Sequence, residues 1–88
     1  MSQPIVHHLK TESRFYKDVI SGKKPFEARI DDRTPQFAIG QILVLEETDS
    51  FGNRTGWHTS VEITYVLRGQ QYGIMDGYAI LGIKPVAR

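Results

Sequence analysis

The chain has 88 residues, a formal net charge of +1 and no cysteine. The length suits one domain with a single core, because domains typically have about 50 to 200 residues. The absence of cysteine excludes disulfides, thiolate metal sites and a cysteine nucleophile. So small a net charge argues against a polybasic nucleic-acid binder, whose affinity comes from many lysine and arginine contacts. We therefore expect one domain over residues 1–88.

No segment of the sequence has the pattern of a targeting or membrane-spanning peptide. The start, MSQPIVHHLK, lacks a continuous apolar core, and no apolar run approaches the roughly 20 residues that span a bilayer. Residues 69–77 match neither a Walker loop nor a dinucleotide fingerprint. The sequence favours a cytoplasmic protein without membrane contact or cofactor, and a monomer is the default expectation.

A first strand is predicted at residues 5–10, followed by a short helix. Residues 11–13, Thr-Glu-Ser, form a plausible N-cap cluster. Apolar side chains then recur at helical spacing, at Phe15, Tyr16, Val19 and Ile20. Gly22 suits the left-handed residue that often follows a helix. We expect about three helical turns.

Four more strands are predicted after the helix. Residues 25–30 alternate as in a half-buried strand, with Phe26, Ala28 and Ile30 on one face and Glu27 and Arg29 on the other. The remaining strands are predicted at residues 42–47, about 57–67, and 78–85. In the third of these four, Val61, Ile63 and Tyr65 alternate with Glu62, Thr64 and Val66.

The connections between these strands have the composition of loops and turns. They are predicted at residues 31–35, 39–41, 48–56 and 68–77. Five strands and one principal helix after the first strand indicate an α+β fold that is mainly β. Five short strands around one core tend to close into a small barrel, which removes exposed sheet edges.

Residues 22–33, GKKPFEARIDDR, hold three acidic and four basic side chains but only two large apolar ones. These charges either form ordinary polar surface or converge on a ligand. Glu27 and Arg29 share a face of the predicted strand. They could form a binding site together, or they could be an ordinary ion pair on the surface of the barrel. Lys23 and Lys24 follow the predicted helix, where cations stabilise the helix end without any ligand.

Other polar and aromatic residues are weaker candidates. Arg33 could donate to a phosphate, but Asp31 and Asp32 beside it could take up its charge in a local cluster. Several aromatic side chains could stack on bases. Tyr72, between Gln71 and Gly73, is the one most expected to be exposed.

The two histidines near the N-terminus, His7 and His8, cannot face the same side of a strand. One of them is expected to be partly buried and hydrogen-bonded. A histidine near Lys10 could lie beside a ligand, and His8 is the candidate we name. No third ligand at a supporting spacing is evident, so no metal site is predicted.

The order of these segments resembles an ASCH domain (activating signal cointegrator homology) of the PUA-like superfamily. It is most similar to a small bacterial and phage family of unknown function with the pattern H-x-L-K, G-K-K-x-F-E-x-R, N-D-R and G-D-x-L-x-L. The corresponding segments here are residues 7–10, 22–29, 31–33 and 40–45. Asp31 stands where the pattern has Asn, and Gln41 where it has an acid. The similarity covers nearly the whole chain.

The resemblance implies a pseudo-barrel whose cleft is lined by residues 23–33 and 7–10, with RNA or a modified nucleotide as ligand. In such a cleft Lys24 and Arg29 would supply positive charge, and Glu27 would accept from a base edge or orient Arg29. Lys10 and Arg33 would lie at the rim. His8, Lys23 and Tyr72 are the remaining candidate contacts.

Two alternatives stay open. One branch that resembles this chain hydrolyses acetylcytidine with a lysine, a threonine and a glutamate. Lys24 matches that lysine, Glu27 stands at the position of the threonine, and the glutamate has no counterpart here. A small amidohydrolase is therefore the first alternative, with Lys24 and Glu27 as its polar pair. The second is a protein-interaction or accessory module whose charges are plain surface.

Overall fold

The structure is a computed structural model that describes residues 3–86. Its elements are β1 (Val6–Glu12), α1 (Ser13–Ile20), β2 (Phe26–Ile30), β3 (Ile42–Thr48), β4 (Arg54–Arg68) and β5 (Tyr78–Pro85). Within the described residues, no helix is long and apolar enough to cross a membrane. The predicted α+β, mainly β fold with one helix after the first strand is confirmed.

The five strands form one sheet that curls into a half-barrel, in the order β1-β3-β4-β5-β2. The β1–β3 pair is parallel, and β3–β4, β4–β5 and β5–β2 are antiparallel. Strands β1 and β2 are the two edges, and among the described strands no backbone ladder joins them. The sheet therefore has the expected barrel-like curvature but is open between β1 and β2.

The core lies on the inner face of the curled sheet. Its fully buried large side chains are Phe37, Leu43, Leu45, Ile63 and Leu81. Tyr16 and Val19 of α1 are buried in the same cluster. The helix thus covers part of the inner face, and the segment that follows it runs beside β5, where the N–H of Ile83 donates to the carbonyl oxygen of Pro25 at 3.1 Å.

The helix is shorter than predicted. It has eight residues, or about two turns. Thr11 belongs to β1, and Glu12 holds the N-cap position without a side-chain capping bond to any described residue. Ser13 instead donates from Oγ to Glu47 Oε2 at 2.7 Å. The prediction for Gly22 is confirmed, because its φ is +84°.

Strand β2 turns its charged side chains inward. Glu27 is 2% exposed, whereas Phe26 and Ile30 are 42% and 50% exposed. The register explains this burial, because Glu27 pairs with Leu81 of β5, a core residue. The predicted face of Phe26, Ala28 and Ile30 is therefore the exposed one.

The alternation predicted for β4 also fails in one place. The β4–β5 register shifts at an irregularity between Ile63 and Tyr65. An extra residue in one strand reverses the faces of those that follow. Val66 therefore packs against the core and Tyr65 is 61% exposed. Strand β4 also starts earlier than predicted, at Arg54, because the turn before it is short.

Candidate functional site

A cavity of about 520 Å³ lies at the gap between the edge strands β1 and β2, beside the first turn of α1. It is lined by Lys10, Thr11, Glu12, Phe15, Lys24, Phe26, Glu27, Ala28 and Arg29. Its position follows from the topology, because the curled sheet is open only between its two edge strands. Residues distant in sequence therefore meet in its walls.

Glu27 is the buried centre of this cavity's charge cluster. Its Oε1 accepts from Lys24 Nζ at 2.9 Å, and its Oε2 accepts from Arg29 Nε at 2.9 Å. A buried carboxylate needs such partners because removing its charge from water is costly. Two cations bound to one anion leave this cluster with a formal charge of +1.

Lys24 lies between two aromatic rings. Its Nζ is 5.3 Å from the ring centroid of Phe15 and 5.0 Å from that of Phe26, within the range of cation–π attraction. It also donates to the carbonyl oxygen of Phe26 at 3.0 Å. Phe15 and Phe26 are 37% and 42% exposed. The cavity therefore holds two partly exposed aromatic rings beside one ammonium group, and the guanidinium of Arg14 also lies over Phe15, 4.4 Å from its ring centroid.

Arg29 links the two edge strands. Its Nη2 donates to the carbonyl oxygen of Lys10 at 3.0 Å and to Thr11 Oγ1 at 3.1 Å, while its Nε holds Glu27. These bonds cross the gap that no backbone ladder spans among the described strands. One guanidinium therefore fixes both walls of the cavity.

The predicted site residues separate into two groups. Lys10, Lys24, Glu27 and Arg29 come together in the cavity walls. The other candidates, His8, Lys23, Arg33 and Tyr72, are not among the lining residues. The ligand roles of all eight candidates stay predictions.

His8 is exposed on the outer face of β1, and its Nδ1 lies 3.3 Å from Glu46 Oε1. The hydrogen bond from Arg54 is the main cause that lowers the pKa of Glu46, and His8 adds to it. Lys23 is exposed in the connection after α1. Tyr72 is 89% exposed, as expected, in the connection between β4 and β5.

Arg33 belongs to a separate buried network. Its Nη1 donates to His7 Nδ1 at 3.2 Å, and its guanidinium lies 4.8 Å from the ring centroid of Phe37. A guanidinium can only donate, so Nδ1 accepts and His7 Nε2 carries the hydrogen that it donates to Gln41 Oε1 at 2.7 Å. The expectation that one of the two histidines is buried and hydrogen-bonded is confirmed for His7, which is 5% exposed.

Asp31 does not pair with Arg33. Its carboxylate forms an ion pair with Arg68 and accepts from the backbone N–H of Phe37 at 3.2 Å. It therefore fixes the loop that places Phe37 in the core. Within residues 3–86, no group of three or more His, Cys, Asp or Glu side chains could hold a metal ion.

Phe15 and Phe26 are the cavity residues that sequence reasoning missed, because both were assigned to apolar faces. A signal for Phe15 was present, since Phe15 and Tyr16 are consecutive and a helix turns by about 100° per residue. A two-turn helix buries one of such neighbours more deeply than the other. Tyr16 is 4% exposed and packs in the core, which leaves Phe15 at the cavity.

A second buried carboxylate, Glu47, lies outside the cavity. It accepts from Ser13 Oγ at 2.7 Å and from Thr55 Oγ1 at 2.8 Å. These two hydrogen bonds, and the charge of Lys17, lower the pKa of Glu47. Burial and the charge of Glu47 raise the pKa of Tyr16. The cluster anchors the start of α1 to β3 and β4.

Comparisons with known proteins identify a family for the chain. No curated protein matches the sequence. A family model described as "Domain of unknown function (DUF3850)" matches residues 6–83, which extend from the start of β1 into β5 and include every residue that lines the cavity. The chain therefore belongs to the DUF3850 family.

Proposed function

We propose that this domain binds RNA or a modified nucleotide in the cavity between β1 and β2. The observation that carries the proposal is the meeting of a positively charged cluster with two exposed aromatic rings in one cavity. The cavity volume of about 520 Å³ lies within the range of small-molecule sites, about 300 to 1,000 Å³. It suits one or two nucleotides better than an extended duplex.

Each part of the cavity suits a different part of a nucleotide. Aromatic side chains stack on bases, and an exposed ring accepts any base because every base has a π-face. Lysine and arginine attract phosphate, and arginine does so with two parallel donors. Phe15 and Phe26 supply the rings, and Lys10, Lys24 and Arg29 supply the charge.

Glu27 is proposed to orient its two cations. The sequence left two roles for it, as an acceptor from a base edge or as the partner of Arg29. Its side chain is 3% exposed and each of its oxygens already accepts from a cation. These contacts favour the orienting role.

The resemblance to ASCH and PUA-like domains supports the same location, because it implies a cleft between residues 23–33 and the first strand. The cytoplasmic location and monomeric state that the sequence favours are part of the proposal. The amidohydrolase alternative gains nothing from the contacts of Lys24, since a general base must have a free electron pair and an ammonium group paired with the Glu27 carboxylate has none. The convergence of charges in one cavity weighs against plain surface.

The experiment is a titration with short single-stranded RNA and with mononucleotides, read by fluorescence anisotropy and calorimetry. Phe15→Ala and Phe26→Ala should each weaken binding by about 5- to 140-fold, since stacking contributes about 1 to 3 kcal/mol per base. Phe51→Ala is the matched control, because Phe51 is 87% exposed and does not line the cavity. Its affinity should equal that of the unchanged protein.

Lys10 and Lys23 provide a second matched pair. Both are exposed lysines, but only Lys10 lines the cavity. Lys10→Ala should weaken binding several-fold and Lys23→Ala should not. If the two lysine variants weaken binding equally, or if Phe15→Ala and Phe51→Ala do, the ligand does not bind in the cavity. Release of acetate from acetylcytidine by the pure protein would favour the amidohydrolase instead.

A further inference from the structure

We propose that the cavity holds its ligand by a terminal phosphate, a phosphomonoester whose oxygens accept hydrogen bonds from Arg29 and Lys24. This inference rests on the proposed function and names the chemical group that the charge cluster recognises. It follows from counting the donors and acceptors that the protein itself leaves unused.

Arg29 has two unused donors. A guanidinium carries five N–H groups. The single hydrogen on Nε goes to Glu27, and Nη2 donates to Lys10 and Thr11. No described residue accepts from Nη1. The one side-chain nitrogen or oxygen that is both buried and unpartnered in residues 3–86 is Arg33 Nε, so Nη1 of Arg29 is open to solvent.

Lys24 has one unused donor beside the same carboxylate. An ammonium group carries three N–H bonds, and Nζ donates two of them, to Glu27 and to the carbonyl of Phe26. Lys24 and Arg29 each bind a different oxygen of Glu27, so both cations are held around one carboxylate. Three unused N–H groups therefore lie around a cluster of net positive charge.

Acceptors are scarce in the same walls. Glu27 and Glu12 are the two acidic residues that line the cavity. The side chain of Glu27 is 3% exposed, and that of Glu12 is 63% exposed and paired with Arg14 at 3.2 Å. Of the two lining carboxylates, one is buried and fully used and the other is already paired, so the described lining residues offer more unused donors than unused acceptors.

This inventory favours a phosphomonoester over a base edge or an internal phosphate. Base edges present donors as well as acceptors, and the lining residues leave few unused acceptors for those donors. A phosphate presents only acceptors at neutral pH. A monoester carries a charge of about −1.5 to −2 and three terminal oxygens, whereas an internal diester carries a single negative charge. Three unused donors and the nearby Lys10 match the monoester best.

A phosphomonoester can come from a free mononucleotide or from the end of an RNA strand. Phe15 and Phe26 lie beside Lys24, so a base attached to the bound phosphate could stack on either ring in both cases. The shared chemistry is the terminal phosphate. The experiment has one arm for each source.

In the first arm, the unchanged protein is titrated with a nucleoside and with its 5′-monophosphate. In the second arm, it is titrated with one RNA pentamer that carries a 5′-hydroxyl, a 5′-phosphate or a 3′-phosphate. We expect a terminal phosphate to strengthen binding by about tenfold or more, because a hydrogen bond to a charged group contributes about 1.5 to 3 kcal/mol. A gain in the first arm alone identifies a free nucleotide, and a gain in the second identifies a strand end.

Arg29→Lys tests the geometry with the charge kept. Lysine preserves the cation beside Glu27 but lacks the Nη1 donors, so the gain from a terminal phosphate should fall below about threefold. Lys23→Ala, outside the cavity, should keep the full gain. The ligand comparison in the unchanged protein stands even if the Arg29 variant folds poorly.

Two negative outcomes are distinguishable. If RNA binds equally well with and without a terminal phosphate, and nucleosides bind as well as their monophosphates, the phosphate inference is overturned while nucleic-acid binding survives. If neither RNA nor any nucleotide binds, the proposed function itself is overturned.

Discussion

Glu27 is a buried carboxylate with one cation on each oxygen, and this single residue fixes both Lys24 and Arg29 in the cavity wall. Arg29 in turn reaches the carbonyl oxygen of Lys10 on the opposite edge strand. The acid therefore acts on the cavity through its partners. We therefore expect replacement of Glu27 to lower the stability of the fold.

We expect Glu27→Gln to lower the free energy of unfolding by about 2 to 3 kcal/mol. The amide oxygen can accept from only one of the two cations, and the amide N–H groups would point at the other. Urea unfolding measures the change. Glu12→Gln is the control, because the Glu12 side chain is 63% exposed and its pair with Arg14 should contribute less than about 1 kcal/mol. Equal midpoints for Glu27→Gln and the unchanged protein would mean that Glu27 does not hold the cluster.

Glu47 makes stability depend on pH. Hydrogen bonds from Ser13 and Thr55 lower its pKa in the folded protein, so the folded state binds this proton more weakly than the unfolded chain. Its contribution is therefore complete above the ordinary carboxyl pKa of about 4.3 and is lost as pH falls through the lowered value. Urea unfolding at several pH values from 6 to 3 should show that the free energy of unfolding decreases as the pH is lowered. In Glu47→Gln this decrease should be smaller.

Ser13→Ala is an intermediate test of the same cause. It removes the hydrogen bond that lowers the pKa of Glu47 most, so the pKa measured by carboxyl-carbon NMR should rise toward the ordinary value. An unchanged pKa in Ser13→Ala, or identical pH dependence in Glu47→Gln and the unchanged protein, would contradict the assignment.

At the scale of elements, strand β2 shows what the sequence can predict and what it cannot. Alternation placed Glu27 and Arg29 on one face, and they do share it. Alternation alone does not say which face turns inward, and the usual preference for burying apolar residues pointed the wrong way. The deciding contacts, with Lys10 and Thr11, come from a strand 18 or 19 residues away in sequence.

The other differences between prediction and structure have the same origin. The helix is short because Thr11 and Glu12 continue β1 along β3, where Thr11 pairs with Glu47 and Glu12 with Thr48. The irregularity between Ile63 and Tyr65 in β4 reverses the predicted faces beyond it. Both depend on strand pairing, which local patterns do not encode. Strand β5, whose apolar alternation has no such interruption, has the predicted bounds.

For the whole molecule, the position of the cavity follows from strand order. The parallel β1–β3 pair places β1 at one edge, and β2 reaches the other edge by pairing with β5. Curling brings the two edges toward each other with a gap between them, which Arg29 crosses. The open edges follow from a topology that no segment of the sequence specifies by itself.

The charge of the whole molecule sets the expected salt dependence of RNA binding. The net charge is +1, and the cationic residues that line the cavity are Lys10, Lys24 and Arg29. Single-stranded nucleic acid loses affinity with a logarithmic slope of about −0.7 per phosphate contact, so two or three contacts predict a slope of about −1.5 to −2. A polybasic binder with six to ten contacts would give about −4 to −7 by the same rule.

Titrations of one RNA at several salt concentrations measure this slope. Lys10→Ala should make it shallower by about 0.7, because one phosphate contact is lost, and Lys23→Ala should leave it unchanged. A slope steeper than about −4 would show that RNA contacts extend far beyond the cavity. Equal slopes for the two lysine variants would mean that Lys10 meets no phosphate, since exposed charges outside the contact release no counterions on binding.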